Sequence, residues 1–455
     1  MKNVICITGS SGVGKSTLSK FLYFIFGCND VVTLNGDDAH RWERGDTSWD
    51  IYTHLNPSAN NLDKELENLK SLSSGESITR EKYNHDTGKF DAPMVVHPKE
   101  IIVYEGLHAL YGTMSELCDI GIFVETERDL LTQWKVERDT TKRGYTIDQV
   151  KAAIKRREID ESLYIEPQKE NADIIIRFEE KRDGRVHLDL VCQSDDHIVL
   201  ANRIKSLYDR HRDFLTLCEK TSFEYELVQT QGGNISYKFE DKIVITSSGK
   251  DLGDVTLLDG FSVCDDQGVL LDTTQGRPSM ETGFHLKIPH TFVLHTHPIH
   301  LNTILCCVEA KEIISSILSN YDYAYIDYHT PGDDLKNNFK VSSDINIYLL
   351  ENHGLVCSGD SFKEIFDTTM EINELCKRWL FNNSKAFKKL YNQDRRGKFN
   401  FLFPDAVVLE EKMKPINDFM LKLHKEVGLK SNFLSESEIH KLLNMKEEKY
   451  RKSLQ

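Results

Sequence analysis

The sequence predicts an α/β chain of two successive domains, the first built on a parallel sheet. Two patterns and a length carry that prediction. Near the start, the short apolar strand Lys2–Thr8 runs into Gly9-Ser10-Ser11-Gly12-Val13-Gly14-Lys15-Ser16, and a helical stretch, Ser16–Phe26, follows at once. Far downstream, the extended run Pro289–Leu294 leads into His295-Thr296-His297-Pro298, with a third histidine in Glu351-Asn352-His353-Gly354. At 455 residues the chain is long enough for two or three domains, each with a core of its own.

The first pattern is G-x-x-x-x-G-K-S in its strand–loop–helix setting. Glycines let backbone N–H groups wrap phosphate oxygens, and the helix N-terminus adds its positive end. The candidates for binding ATP are therefore Gly9, Ser10, Ser11, Gly12, Val13, Gly14, Lys15, Ser16 and Thr17, with Lys15 on the β/γ-phosphates and Ser16 on Mg²⁺. A second strand, Val31–Leu34, precedes Asn35-Gly36-Asp37-Asp38-Ala39-His40-Arg41-Trp42-Glu43-Arg44. Then come Thr53-His54-Leu55-Asn56-Pro57-Ser58-Ala59-Asn60, Tyr83-Asn84-His85, the strand Ile101–Tyr104 with Glu105-Gly106-Leu107-His108, and Trp134-Lys135-Val136-Glu137-Arg138-Asp139-Thr140-Thr141-Lys142-Arg143-Gly144-Tyr145.

Over residues 1–200 this series resembles the phosphoribulokinase/uridine kinase family, nearer its phosphoribulokinase branch. The resemblance implies a P-loop NTPase-type parallel sheet. It makes Asp37 the general base for a substrate hydroxyl, with Asp38 beside it as an alternative, and Glu105 the acidic partner of the Mg²⁺ site. It further implies that His40 and Arg44 hold the sugar, while Lys135, Arg138 and Arg143 grip the acceptor's phosphate and the transferring group. Read alone, Arg138 and Arg143 sit among mixed charges and fit a solvated helix face better than a binding role. The parts needed for phosphoryl transfer (positioning, metal, cationic neutralisation and one base) are all present.

Asp148–Glu158 has helical spacing, and Ala172–Phe178 and Val186–Val191 alternate like paired strands around Lys181-Arg182-Asp183-Gly184. Ile198–Cys218 carries Ile204, Leu207, Phe214 and Leu217 at helical spacing, so the junction is expected to be helical.

The second pattern offers three imidazoles. Alternation along a strand puts both rings of an H-x-H on one face, and a distant third ligand leaves a fourth position open, as in a catalytic zinc site. Surface or structural histidines would give the same spacing. Around it, in order, stand Gln231-Gly232-Gly233-Asn234-Ile235-Ser236, Ile245-Thr246-Ser247-Ser248-Gly249-Lys250 and Pro278-Ser279-Met280-Glu281. Together these motifs resemble the class II aldolase/adducin family over residues 205–395. The resemblance implies an α/β domain with a central, mainly antiparallel sheet and Zn²⁺ held by His295, His297 and His353. It also implies Glu281 as the acid/base carboxylate, where the family's epimerases carry Asp. Gly233, Asn234, Ser248, Gly249 and Ser279 match its phosphate-binding loops, and Met280 departs from a frequent second serine. Subunit interfaces form active sites in such aldolases, so a homo-oligomer assembled through this domain is expected.

A helix over Phe362–Phe387 follows. Residues 396–455 form a helical extension beginning at Phe401-Leu402-Phe403-Pro404-Asp405, with an N-capped pattern at Ser435-Glu436-Ser437-Glu438. Its expected role is packing or oligomer contact.

The formal net charge of −15 argues against a nucleic-acid surface and for small anionic metabolites in local basic pockets. Ten cysteines without a paired framework suggest reduced thiols in a cytoplasm. The N-terminus reads as a strand rather than a signal peptide, and no apolar run is long enough to span a membrane. The expectation is a bifunctional cytoplasmic enzyme: an ATP-dependent kinase of a sugar or sugar phosphate, and a zinc-dependent aldolase of a ketose phosphate. The alternatives are a uridine-type kinase joined to an epimerase or decarboxylase, or to a non-catalytic adducin-like module.

Overall fold

A computed structural model describes residues 3–182, 184–271, 276–384 and 402–453. The chain divides into two compact units, Met1–Asp209 and Arg210–Gln455, and the division falls inside the helix Ile198–Phe223.

The first unit is organised by β1 (Asn3–Thr8), whose last five residues are all buried. Continuous apolar runs of this kind suit a parallel strand covered on both faces. β2 (Val31–Asn35) is followed by two small ribbons, β3 (Ile78–Arg80) with β6 (Met94–Val96) and β4 (Tyr83–Asn84) with β5 (Lys89–Phe90). β7 (Ile101–Glu105), β8 (Ile120–Thr126), β9 (Ile174–Glu180) and β10 (Val186–Cys192) complete a six-stranded sheet in the order β10-β9-β8-β1-β7-β2. Every pair is parallel except the terminal β9–β10 hairpin. The hairpin matches the expected alternation; Asp183 of its turn lies outside the described residues. Ile5 pairs with both Val103 and Ile120, so the Gly-rich loop leaves the sheet between two neighbouring strand ends. A switch point of this kind is where open α/β sheets bind ligands.

One expectation fails here. Cys6 and Cys118 are joined by a disulfide rather than left as thiols. The main-chain N–H of Val4 donates to Asp119, which anchors the entry to β8 against β1 and brings the two Cα atoms to 5.9 Å. A separation of 112 residues hides this pairing from the sequence. The other eight cysteines are not disulfide-bonded, and six of them are buried, including Cys306 and Cys307.

The second unit holds a seven-stranded sheet in the order β13-β12-β11-β14-β17-β16-β15. Its strands are β11 (Asn234–Phe239), β12 (Lys242–Thr246), β13 (Phe261–Asp265), β14 (Phe292–Thr296), β15 (Ala324–Ile326), β16 (Ile347–Leu350) and β17 (Gly354–Gly359). All pairings are antiparallel but β15–β16. The chain thus has the expected fold class, a P-loop-type parallel sheet and then a mainly antiparallel α/β domain. The helix expected over 362–387 spans Phe362–Asn383, and 385–387 lie outside the described residues, as does Phe401. Beyond it, Leu402, Phe403 and Ala406 join a core cluster with Ile299 and Cys306. Ser435 caps the helix Glu436–Asn444 through a capping box with Glu438. No helix among the described residues is long and apolar enough to cross a membrane.

Leu22, on the helix behind the Gly-rich loop, is completely buried. Leu22→Ala is expected to destabilise the first unit by about 2–5 kcal/mol. Urea unfolding followed by a probe in that unit checks this, and a loss below about 1 kcal/mol would contradict the packing described.

Candidate active sites

In the first unit, the loop Gly9–Gly14 wraps the start of the helix Lys15–Phe26. Gly9 has a φ of 138°, and a Cβ there would lie 2.1 Å from the Val124 carbonyl oxygen; one at Gly12 would lie 2.8 Å from the Lys135 side chain. Only glycine permits that approach. Lys15 Nζ donates to the carbonyls of Gly9 and Ser10 at 2.8 Å each. Thr17 and Val13 are buried, and the Val13 carbonyl accepts from Thr126. Ser10 is bonded to Glu161, and Ser11 and Ser16 flank the loop's turn into the helix.

Across from the loop, Glu105 ends β7 and accepts from the Ser19 hydroxyl at 2.6 Å. Burial pushes its carboxyl up from the usual range. Asp37 lies just past β2, where His85 Nε2 approaches its carboxylate at 3.1 Å and His40 Nε2 at 3.8 Å. Burial pushes Asp37 up, but the His85 hydrogen bond and the neighbouring His40, His85 and Lys15 outweigh it and hold the carboxyl below its usual range. His40 is set by Asn60, whose side-chain oxygen lies 2.9 Å from Nδ1 and whose amide is tied to the carbonyls of His54 and Asn56. Asp38 points elsewhere. It accepts from the Tyr83 N–H and meets Arg80 at 3.3 Å, in a buried group with Glu65.

The helix Arg128–Arg143 brings cations to the same place. Asp139 holds Arg138 at 2.8 Å and Arg143 at 3.4 Å. Lys135 is buried and lowered to about 7, by burial first and then by Arg157 and Arg138. Lys15 is lowered to about 8, chiefly by burial, against the pull of Asp37 and Glu105. Arg44 donates to the His85 carbonyl, which places it beside the Asp37–His85 pair.

In the second unit, His295 is the penultimate residue of β14, and His297 lies one residue past the strand's end. His295 Nδ1 donates to the Leu355 carbonyl at 3.0 Å, and His297 Nδ1 to Asp405 at 2.8 Å. Their Nε2 atoms face each other at 3.0 Å. With both Nδ1 atoms engaged as donors, the gap can be satisfied only by a cation, a single proton or a metal ion. His353, in the turn between β16 and β17, completes a buried group whose ligand atoms all lie within 4.8 Å of one another. Glu281 closes it, 3.4 Å from His295 and 3.2 Å from His353. One oxygen of Glu281 and Nδ1 of His353 are buried without a hydrogen-bond partner. Burial pushes Glu281 up, yet the imidazoles of His295 and His353 and the amide of Asn234 hold it below the usual range. Burial pushes His295 well down, against the pull of Glu281. This donor set fits a divalent transition metal.

Asn234 donates to Glu281 at 2.7 Å, and its oxygen accepts from His285, itself bonded to Ser236. Gly233 has a φ of 73°, and a Cβ there would lie 2.6 Å from the His295 carbonyl oxygen. Gly233, Asn234, Ser248, Gly249 and Ser279 line an open pocket together with Glu281, His297 and His353.

The phosphoribulokinase / uridine kinase family model matches residues 4–183. The phosphoribulokinase of Synechocystis sp. is 39% identical over 175 residues, covering 38% of this chain and 53% of that protein. The uridine kinase of Clostridium perfringens is 32% identical over 195 residues, covering 41% of this chain and 91% of that protein. The chain belongs to the phosphoribulokinase/uridine kinase family. It spans about half the length of the phosphoribulokinases it matches. Residues 212–380 match the class II aldolase and adducin N-terminal domain, so this family member carries such a domain behind its kinase domain. A solved class II aldolase domain from Thermoplasma acidophilum is 23% identical, covering 37% of this chain and 92% of that one, with a TM-score of 0.33.

The structure thus gathers Lys15, Asp37, Glu105, His40, Arg44, Lys135, Arg138 and Arg143 in the kinase-family unit, and the three histidines, Glu281 and the loop residues in the other. Sequence reasoning misses Asp139, which ties Arg138 to Arg143, and His285, which orients Asn234. It also gives the C-terminal extension no part in chemistry, yet Asp405, Glu448 and Arg451 line the second pocket. The only signal for Asp405 was a lone carboxylate in Phe403-Pro404-Asp405.

Lys15 and Lys135 are both lowered by burial, and a bound polyphosphate would stabilise their charged forms. ATP binding is therefore expected to take up protons between about pH 7 and 9, with affinity falling as pH rises through that window. Calorimetry in buffers of different ionisation enthalpy reads the uptake; proton release at pH 8 would contradict it.

Proposed function

We propose that the first unit transfers the γ-phosphoryl group of ATP to a hydroxyl of a sugar or sugar phosphate, and that the second cleaves a ketose phosphate by a metal-dependent retro-aldol reaction. The observation that carries the kinase half is Asp37, kept ionised beside His85 and His40 and facing Lys15 and the Asp139-clamped arginines. Asp37 would accept the acceptor hydroxyl's proton as that oxygen bonds to the γ-phosphorus and the bond to ADP breaks. Arg138, Arg143 and Lys135 would hold the charge spread over the phosphoryl oxygens. Their density favours an acceptor that already bears a phosphate over an uncharged nucleoside. Mg²⁺ entering with the nucleotide would neutralise its phosphates, and Ser16 and Glu105 are the residues that would hold it.

The observation that carries the aldolase half is the convergence of three buried imidazoles on Glu281. His295, His297 and His353 would hold a divalent metal, Zn²⁺ by the family's pattern, which supplies Lewis-acid polarisation of the substrate's carbonyl and hydroxyl oxygens. Gly233, Asn234, Ser248, Gly249 and Ser279 would seat the phosphate on backbone N–H groups and hydroxyls. Glu281 would take the proton of the hydroxyl on the departing carbon. Those O–H electrons form the aldehyde carbonyl, the C–C bond pair passes to the dihydroxyacetone-phosphate-like fragment, and Glu281 returns the proton to its carbon. With both units in one chain, the phosphorylated product of the first is a candidate substrate for the second.

Purified protein given ATP, Mg²⁺, Zn²⁺ and a panel of pentoses, 6-deoxyhexoses and their phosphates is expected to release ADP with a sugar phosphate and to yield a trapped aldehyde from one ketose phosphate. Uridine as the preferred acceptor would overturn the first half. Absence of any trapped aldehyde would overturn the second.

Asp37→Asn is expected to lower kcat of the kinase reaction by about 10²–10⁴-fold while ATP affinity stays unchanged. An unchanged kcat would remove Asp37 from the role of base. A chelator that strips the second unit is expected to abolish cleavage and leave phosphorylation with excess Mg²⁺ intact.

A further inference from the structure

We infer that the C-terminal helix Lys446–Ser453 is a working part of the metal centre. Arg451, acting through Asp405, is a positioning residue that fixes His297 in the tautomer presenting Nε2 to the cluster. This rests on the metal-binding reading of the three histidines, but concerns residues outside the matched aldolase domain, which ends at residue 380.

The chain of contacts is continuous. Asp405, on the short helix Pro404–Val408, is buried, and its two oxygens are divided between two partners. One accepts from His297 Nδ1 at 2.8 Å, and the other meets Arg451 Nη1 at 2.8 Å. A carboxylate can only accept, so it fixes the proton on Nδ1 and leaves Nε2 free for the ion. Arg451 also donates to the Gln231 carbonyl at 3.2 Å, which pins the guanidinium against the loop that leads to Gly233.

The surroundings are cut to admit this carboxylate. A Cβ on Gly232 would lie 2.9 Å from Asp405 Oδ2 and 3.0 Å from His297 Nδ1. Residue 232 must therefore lack a side chain for the pair to close. Asn352, next to the ligand His353, donates to the carbonyls of Leu402 and Asn432, which fastens the extension to the turn that carries the third imidazole. Without Arg451, one carboxylate oxygen of Asp405 would lose the guanidinium that holds it, and the carboxylate would be free to turn away from His297 Nδ1.

The test uses the full chain and Co²⁺ as a visible probe of the site. Asp405→Asn and Arg451→Met are expected to weaken Co²⁺ binding by about 10–100-fold and to shift its visible absorption. Arg451→Lys, which restores the charge, should recover part of the affinity. Gly232→Ala attacks the same contact without touching the helix and should reproduce the loss, which covers the case in which an extension variant fails to fold. Tyr450→Leu, on the same helix and stacked under Arg277 at 4.5 Å, probes packing alone and should leave the Co²⁺ spectrum unchanged.

The inference is overturned if Asp405→Asn and Arg451→Met keep wild-type affinity and spectrum, or if Tyr450→Leu loses as much as they do. If the folded wild-type protein binds no Co²⁺ or Zn²⁺, the metal reading itself falls and takes the inference with it.

Discussion

The second unit is built around two imidazole nitrogens held 3.0 Å apart with their lone pairs converging. A carbonyl on one side and a carboxylate on the other fix the opposite ring nitrogens as donors, so neither ring can turn to relieve the contact. Antiparallel pairing of β14 with β17 sets this geometry. It places His295 opposite Val356 and Thr296 opposite Leu355, the residue that supplies the carbonyl. Gly354 is part of the same constraint, because a Cβ there would lie 2.9 Å from His297 and 3.1 Å from His295. Asn352 takes a φ of 51° in the turn that presents His353. Backbone strain, buried polar atoms and close ring contacts all collect at one point, and a cation at the imidazoles would offset the ring contacts and satisfy the facing nitrogens.

The first unit manages charge in the opposite sense. Its site collects cations, and burial lowers Lys15 and Lys135 towards neutrality. Asp139 compensates Arg138 and Arg143, and Asp37 and Glu105 favour the charged form of Lys15, which an anionic ligand would favour further. An anionic ligand therefore restores the protonation of groups already in place. The fold contributes by bringing strand ends together: β1, β7 and β2 finish side by side, so Thr8, Glu105 and Asn35 hand the chain to the phosphate loop, the acidic residue and Asp37.

Much of this was legible because it is local. A Gly-rich loop between a strand and a helix, an H-x-H after an apolar run and a Ser435–Glu438 cap each depend on residues a few positions apart. Pairing at long range was not legible. Nothing near Cys6 announces Cys118, and nothing near His297 announces Asp405, 108 residues on. Asp37 and Asp38 were indistinguishable as neighbours. The structure separates them because the buried Arg80 takes Asp38 and leaves Asp37 to two imidazoles. The extension was read as packing because its apolar residues do pack, with Leu442 and Leu434 set against Val407. Helical periodicity reports which face is buried, and it is silent on what a buried polar residue touches.

That silence bears on how the extension relates to the aldolase-type domain. The matched domain supplies three imidazoles, a carboxylate and the loops proposed to seat a phosphate. Among the described residues, the partner of His297 Nδ1 comes from outside that domain. The extension supplies it as a buried carboxylate and then covers the carboxylate's charge with a buried arginine. A segment that served only to pack would have no reason to carry an ion pair inward, where desolvating both groups costs more than an apolar pair of the same size. The ion pair makes physical sense only as part of the site it adjoins.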